Sequence, residues 1–166
     1  MSLKEDSPIA RVQTSFQQLS AAASTLNAIS DQLGKVVTRL DSSFQKLNIG
    51  VSGWVRFYDS RSADALEFSF KEVGYDRVNG KWGLAIRIAS GHEYAESFSS
   101  YEEWLFNDAP RALRLDAVDK IPELFEQLTK VVTATAESVD KKLKKLEEFA
   151  SAVSAVVGAE KPVSGR

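Results

Sequence analysis

Starting at Val12, apolar residues recur along the chain in alternating steps of four and three: Val12, Phe16, Leu19, Ala23, Leu26, Leu33, Val37, Leu40, Phe44 and Leu47. Ser30 is the one polar residue at a stripe position. Such a heptad pattern, kept up over about five repeats, predicts a long helix with one apolar edge. Ser7 and Pro8 supply an N-cap and a first-turn proline, and Gly50 supplies a stop, so the helix is placed at residues 8–48. At 1.5 Å per residue it is ~60 Å long and cannot bury its stripe against itself.

A second stripe lies near the other end. Ile121, Phe125, Leu128 and Val132 lead into Ala136, Val139, Leu143, Leu146, Ala150, Val153 and Val157, with a one-residue slip at Val132 to Ala136. A slip of this kind locally unwinds a coiled coil without ending it. Pro122 and Gly158 bracket a helix over residues 122–157. Two stripes of similar length predict an antiparallel, coiled-coil-like pair, formed within the chain or swapped between chains across the long meander connection. Its seam is expected to hold Phe16, Leu19, Leu26, Leu33, Val37, Leu40 and Phe44 against Val139, Leu143, Leu146 and Val153.

Between the helices the apolar period shortens to two. Residues 51–58, 65–78, 81–89 and 94–98 read as strands of a four-stranded antiparallel meander spanning 51–98. Asn79-Gly80 is a strong signal for a two-residue hairpin turn, because both residues tolerate positive φ. That turn sets Val73 opposite Ile86 and Tyr75 opposite Leu84. Leu66, Phe68 and Phe70 then fall on the other parity, and a β-bulge between Lys71 and Gly74 is expected to bring both groups to one face. Ser100-x-x-Glu103 fits a capping box, and Asp108 with Pro110 starts a further turn, so residues 100–118 read as short helices returning across the sheet. The resulting fold class is α+β: two long amphipathic helices flanking a four-stranded antiparallel β-meander, with a short helical return. One domain covers 8–158, and the ends, 1–7 and 159–166, are expected to be disordered.

Composition adds mainly exclusions. Net charge is −2 from 21 basic and 23 acidic residues, which gives no field to draw the chain to nucleic acid or an anionic membrane. There is no cysteine, so disulfides, thiol catalysis and thiolate metal sites drop out. Residues 1–8 carry Lys4, Glu5 and Asp6 and no apolar run, and no stretch approaches the ~18 continuous apolar residues of a membrane span. A cytoplasmic location is expected.

Candidate chemistry is thin. His92 is the only histidine and is read as a solvated residue in a turn over residues 90–93. Glu102-Glu103 and Glu147-Glu148 are adjacent on helical readings and cannot form a shared-proton pair. The basic run 141–145 is laced with acidic residues four positions away, the pattern of a solvated helix face. Arg111 and Arg114 lie three apart on a short helix and form a candidate anion site, although pairing with carboxylates of the chain is the commoner fate. Trp54, Trp82 and Trp104 are read as core and rim packing. Arg56, Glu67, Lys71 and Arg87 are placed together on an open polar sheet face.

No catalytic, metal or cofactor site emerges. The first helix carries few charges and has Ile29 and Val36 beside its stripe, which suggests more than one neighbour. The expected function is a non-enzymatic interaction or scaffold protein. Its partners would be itself, as a dimer or larger bundle, and an unidentified protein, with neither nucleic acid nor membrane. The alternative is a small-molecule or anion-binding sensor using the polar sheet face or the Arg111/Arg114 helix.

Overall fold

A computed structural model describes residues 8–61, 63 and 66–159, and of residues 95–98, 158 and 159 the backbone alone. The expected Ser7 cap, segment 1–7 and all but the first residue of the expected tail lie outside the described residues. The elements run α1 (Pro8–Leu47), β1 (Gly53–Arg61), β2 (Glu67–Val78), β3 (Lys81–His92), β4 (Ala95–Leu105), a 3-10 turn (Phe106–Asp108), α2 (Arg111–Val118) and α3 (Ile121–Ala159). The fold is α+β, with three helices and a four-stranded antiparallel sheet in the order β1-β2-β3-β4.

Both long helices are unbroken, in agreement with the heptad reading. The stop of α1 is Asn48, two residues before the expected Gly50. Asn48 sits in the left-handed region (φ 47°) and its N–H donates to the Gln45 carbonyl at 3.1 Å. Asn tolerates that conformation well enough to end a helix. The Asn79-Gly80 turn forms as expected, with φ of 49° and 83° and Val78 paired with Lys81.

The expected bulge in β2 is absent. β2 pairs with β3 without interruption from Val78↔Lys81 to Glu67↔His92. The bulge lies instead on β1 at Phe57, between the pairs Arg56↔Glu72 and Tyr58↔Lys71. It shifts the alternation beyond it so that Tyr58 pairs with Lys71, while Val55 lies in the core and Phe57 packs against it. Phe68 and Phe70 therefore stay on the face opposite Val73 and Tyr75. The capping-box reading is also overturned: Ser100 to Glu103 belong to β4, whose pairs Ala89↔Tyr101, Arg87↔Glu103 and Ile86↔Trp104 carry the strand to Leu105. Here cross-strand pairing prevails over a local helix signal. Glu102 and Glu103 therefore point to opposite faces of a strand.

One face of the sheet carries the core. Val55, Val73, Tyr75, Leu84 and Ile86 pack with Val37 and Phe44 of α1, Phe106, Leu113 and Ala117 around α2, and Ile121, Leu124 and Leu128 of α3. The approach of α3 is close enough to require Gly53, since a Cβ there would sit 2.8 Å from Leu128 Cδ2. α1 also closes an open edge. β4 leaves the sheet at Leu105, opposite Ala85, so the next N–H on β3, that of Leu84, has no strand partner on that side; it donates to Asp41 Oδ1 at 2.6 Å. Burial raises the Asp41 carboxyl above its ordinary value of 3.8, and the Leu84 N–H only partly offsets this.

The two stripes are not zipped into a hairpin within the chain. α1 and α3 meet where the Phe44 and Phe125 rings lie 4.6 Å apart. Beyond that crossing, residues 8–29 of α1 and 132–157 of α3 are exposed throughout.

Candidate functional site

Three features stand out: the exposed arms, the open sheet face and a cleft beside α2. Leu33, Val37, Leu40 and Phe44 of the expected seam are in or against the core, packed on the sheet and on the 3-10 turn. Phe16, Leu19, Leu26, Val139, Leu143, Leu146 and Val153 are exposed, Phe16 at 69% and Leu146 at 62%. The arms are roughly 30 and 40 Å long at 1.5 Å per residue. Exposed apolar residues scattered singly are ordinary, whereas continuous stripes mark interaction surfaces. Among the described residues no helix is long and apolar enough to cross a membrane.

The open sheet face differs from the sequence reading in its membership. Arg56 and Arg87 are on it, but Lys71 pairs with Ile88 on the parity of the core face, and its ammonium lies 4.9 Å from the Tyr58 ring centre. The centre of the open face is Glu72, which the sequence reading passed over and which is only 7% exposed. Arg56 Nε donates to one of its oxygens at 3.1 Å and Arg87 Nε to the other at 2.6 Å. Each guanidinium also rests on a ring: Arg56 lies 4.4 Å from the Phe70 centroid and Arg87 3.9 Å from that of Trp54. Trp54 is thus a shelf for Arg87, lying over Gly74, where a Cβ would come within 2.3 Å of the indole. Its Nε1 donates to Asp76, which also accepts from the Ser52 hydroxyl and the Arg77 N–H. Desolvation pushes the Asp76 carboxyl up, but these three donors and the charge of Arg87 together hold it below the ordinary value. The signal for this face was present in the sequence: Arg56, Glu72 and Arg87 fall in one cross-strand row once β1 is shifted at Phe57. With the Glu72 carboxylate shared between the two guanidinium groups, the row ties three strands together.

The expected pairing of Arg111 and Arg114 with chain carboxylates does not occur among the described residues. Arg111 donates to Asn27 Oδ1 of α1 at 2.8 Å. The Arg114 backbone N–H donates to the Pro110 carbonyl at 3.2 Å, but among the described residues its side chain forms no hydrogen bond or ion pair, and its Nε is buried without a partner. It lines an open cleft of about 500 Å³ together with Ser30, Asp31, Gly34, Lys35, Thr38 and Asn107.

His92 ends β3 half-buried, and its Nδ1 accepts the Tyr94 N–H at 3.3 Å. This places it in a strand end bordering a turn rather than in the turn itself. Among the described residues no three His, Asp or Glu side chains gather as a metal set.

No protein-family model matches this chain, and its comparisons with curated proteins and with solved structures give no match either.

Proposed function

We propose that this protein is a non-enzymatic, self-associating scaffold in which the helical arms of separate copies pair with one another. One observation carries the reading: each chain presents two heptad stripes that reach past the core with their seam side chains in solvent. Burying a Val, Leu or Phe side chain contributes about 1.5–3 kcal/mol, so the α3 arm alone offers on the order of 10 kcal/mol through Val139, Leu143, Leu146, Phe149 and Val153. That gain is comparable with the ~4–15 kcal/mol cost of association, and a second stripe on α1 adds to it.

Charge favours a parallel pairing of α3 with α3 of a second copy. Taking Leu143 and Leu146 as seam positions a and d, Lys142 precedes the seam and Glu147 follows it. A parallel pair then faces Lys142 of one copy with Glu147 of the other, twice. An antiparallel pair sets the acidic Asp140 and Glu147 against each other. With a distinct stripe on α1, each chain has two points of attachment, as a scaffold requires.

Light scattering tests the proposal. The native mass is expected to be a multiple of 18.3 kDa at micromolar concentration. L143E/L146E is expected to lower it while leaving the near-ultraviolet spectrum of the sheet core unchanged. A single-chain mass for the native protein would overturn the reading.

A further inference from the structure

We infer that the cleft between α1 and α2 is a binding site for a monocarboxylate, held by Arg114 and Ser30. Its placement is independent of the arms. Ser30 is the one polar residue of the α1 stripe, and it is 5% exposed. Thr25, Thr38, Ser42 and Ser43 of the same helix all donate their hydroxyls to the carbonyl four residues back, at 2.9–3.0 Å. Among the described residues Ser30, like Thr14, Ser15, Ser20 and Ser24, makes no such bond, and of these it alone lines the cleft, where its hydroxyl is available to donate. Opposite, α2 supplies Arg114, whose buried Nε has no acceptor among the described residues. A buried N–H of a cation without an acceptor is costly, and such groups are normally paired. A planar carboxylate accepts from a guanidinium edge and from a hydroxyl together.

The walls are built and leave the floor open. Asn107 Nδ2 donates to the Gly34 carbonyl and to Thr38 Oγ1, both at 3.1 Å, which ties the 3-10 turn to α1. Gly34 puts no side chain into the space between them. The charged groups lining the cleft are Arg114, Lys35 and Asp31, none of them in an ion pair among the described residues. Their balance is one net positive charge, which matches a monoanion better than a dianion such as phosphate.

Thermal melting at constant ionic strength tests this, with sodium acetate, glutamate or phosphate replacing sodium chloride. Acetate or glutamate is expected to give a saturable rise, about 5–10 °C at a hundredfold excess over Kd for a chain of this size. S30A is expected to bind about tenfold more weakly, the loss of one hydrogen bond to a charged group. R114M is expected to lose the carboxylate shift while melting in chloride at or above the native temperature, because it removes an unpaired buried donor. Three results would overturn the proposal: an equal acetate shift in R114M, a larger shift with phosphate than with acetate, or R114M melting well below native protein in chloride. A fall in native mass on adding acetate would also overturn it, by showing that a carboxylate of a second copy occupies the cleft.

Discussion

Asp41 offers a sharp test of how α1 is fastened to the sheet. Its Oδ1 accepts the Leu84 N–H at 2.6 Å, at the point where β4 has turned away and Leu84 is fully buried. D41A leaves that N–H without its carboxylate acceptor beside the buried Leu84. An unsatisfied buried donor costs about 1–3 kcal/mol, and the lost bond is to a charged acceptor, so a destabilisation of about 2–3 kcal/mol is expected. D41N keeps an oxygen in the same place and removes a half-buried charge, so its effect is expected to stay within about 1 kcal/mol. The pH dependence separates the two further. Because burial raises the native carboxyl above 3.8, the folded state holds a proton that the unfolded state has released between 3.8 and that higher value. Stability from this group therefore increases as pH falls through the native pKa and levels off below 3.8. Native protein is expected to gain on D41N across that window, by an amount that urea titrations followed by tryptophan fluorescence can measure at fixed protein concentration. Equal loss in D41A and D41N, or a D41A loss below about 0.5 kcal/mol, would refute the reasoning.

Other consequences follow from the open sheet face. E72A leaves Arg56 and Arg87 facing each other without the carboxylate between them, and a loss of about 2–4 kcal/mol by urea unfolding is expected, below the fully buried case because Arg56 is partly solvated. G74A forces a methyl group into the Trp54 indole, and a loss of at least about 2 kcal/mol with a shifted tryptophan emission is expected. Asp76 has its carboxyl lowered, so the stability it supplies is present above 3.8 and disappears as pH falls through the native value; the difference between native protein and D76N is expected to shrink on acidification. G34A adds a methyl 3.5 Å from Asn107 Oδ1, an ordinary contact, and removes a helix-interior glycine, so a gain of about 0.5–1 kcal/mol is expected in the same assay.

What the sequence made legible were features set by local chemistry. The two long helices, the Asn79-Gly80 turn and the meander follow from period and turn residues that act over a few positions, although α1 stops at Asn48 and not Gly50, and α3 runs through the expected Gly158 stop to Ala159. Features decided across the sheet were not legible. Phe68 and Phe70 looked misplaced because they were assumed to belong to the core, whereas Phe70 serves as a ring beneath Arg56 on the other face. Ser100-x-x-Glu103 has the letters of a helix start, but Tyr101 and Glu103 have strand partners at Ala89 and Arg87 that a local pattern cannot reveal. A heptad stripe specifies that a partner exists and says nothing about which chain supplies it. Within this chain, α1 and α3 are anchored to different strands and meet at Phe44 and Phe125. The Arg114 cleft had one visible sign, the serine interrupting an apolar stripe at position 30.

The chain has no cysteine, so a single S154C substitution near the end of the α3 arm carries one spin label per copy, and any dipolar coupling arises between copies. With parallel arms, a short inter-copy distance is expected, set by the ~10 Å helix spacing plus the label arms, and it should vanish on dilution with excess unlabelled protein. Absence of coupling at micromolar concentration would contradict pairing of the arms. A distance lengthened by most of the arm would contradict the parallel arrangement.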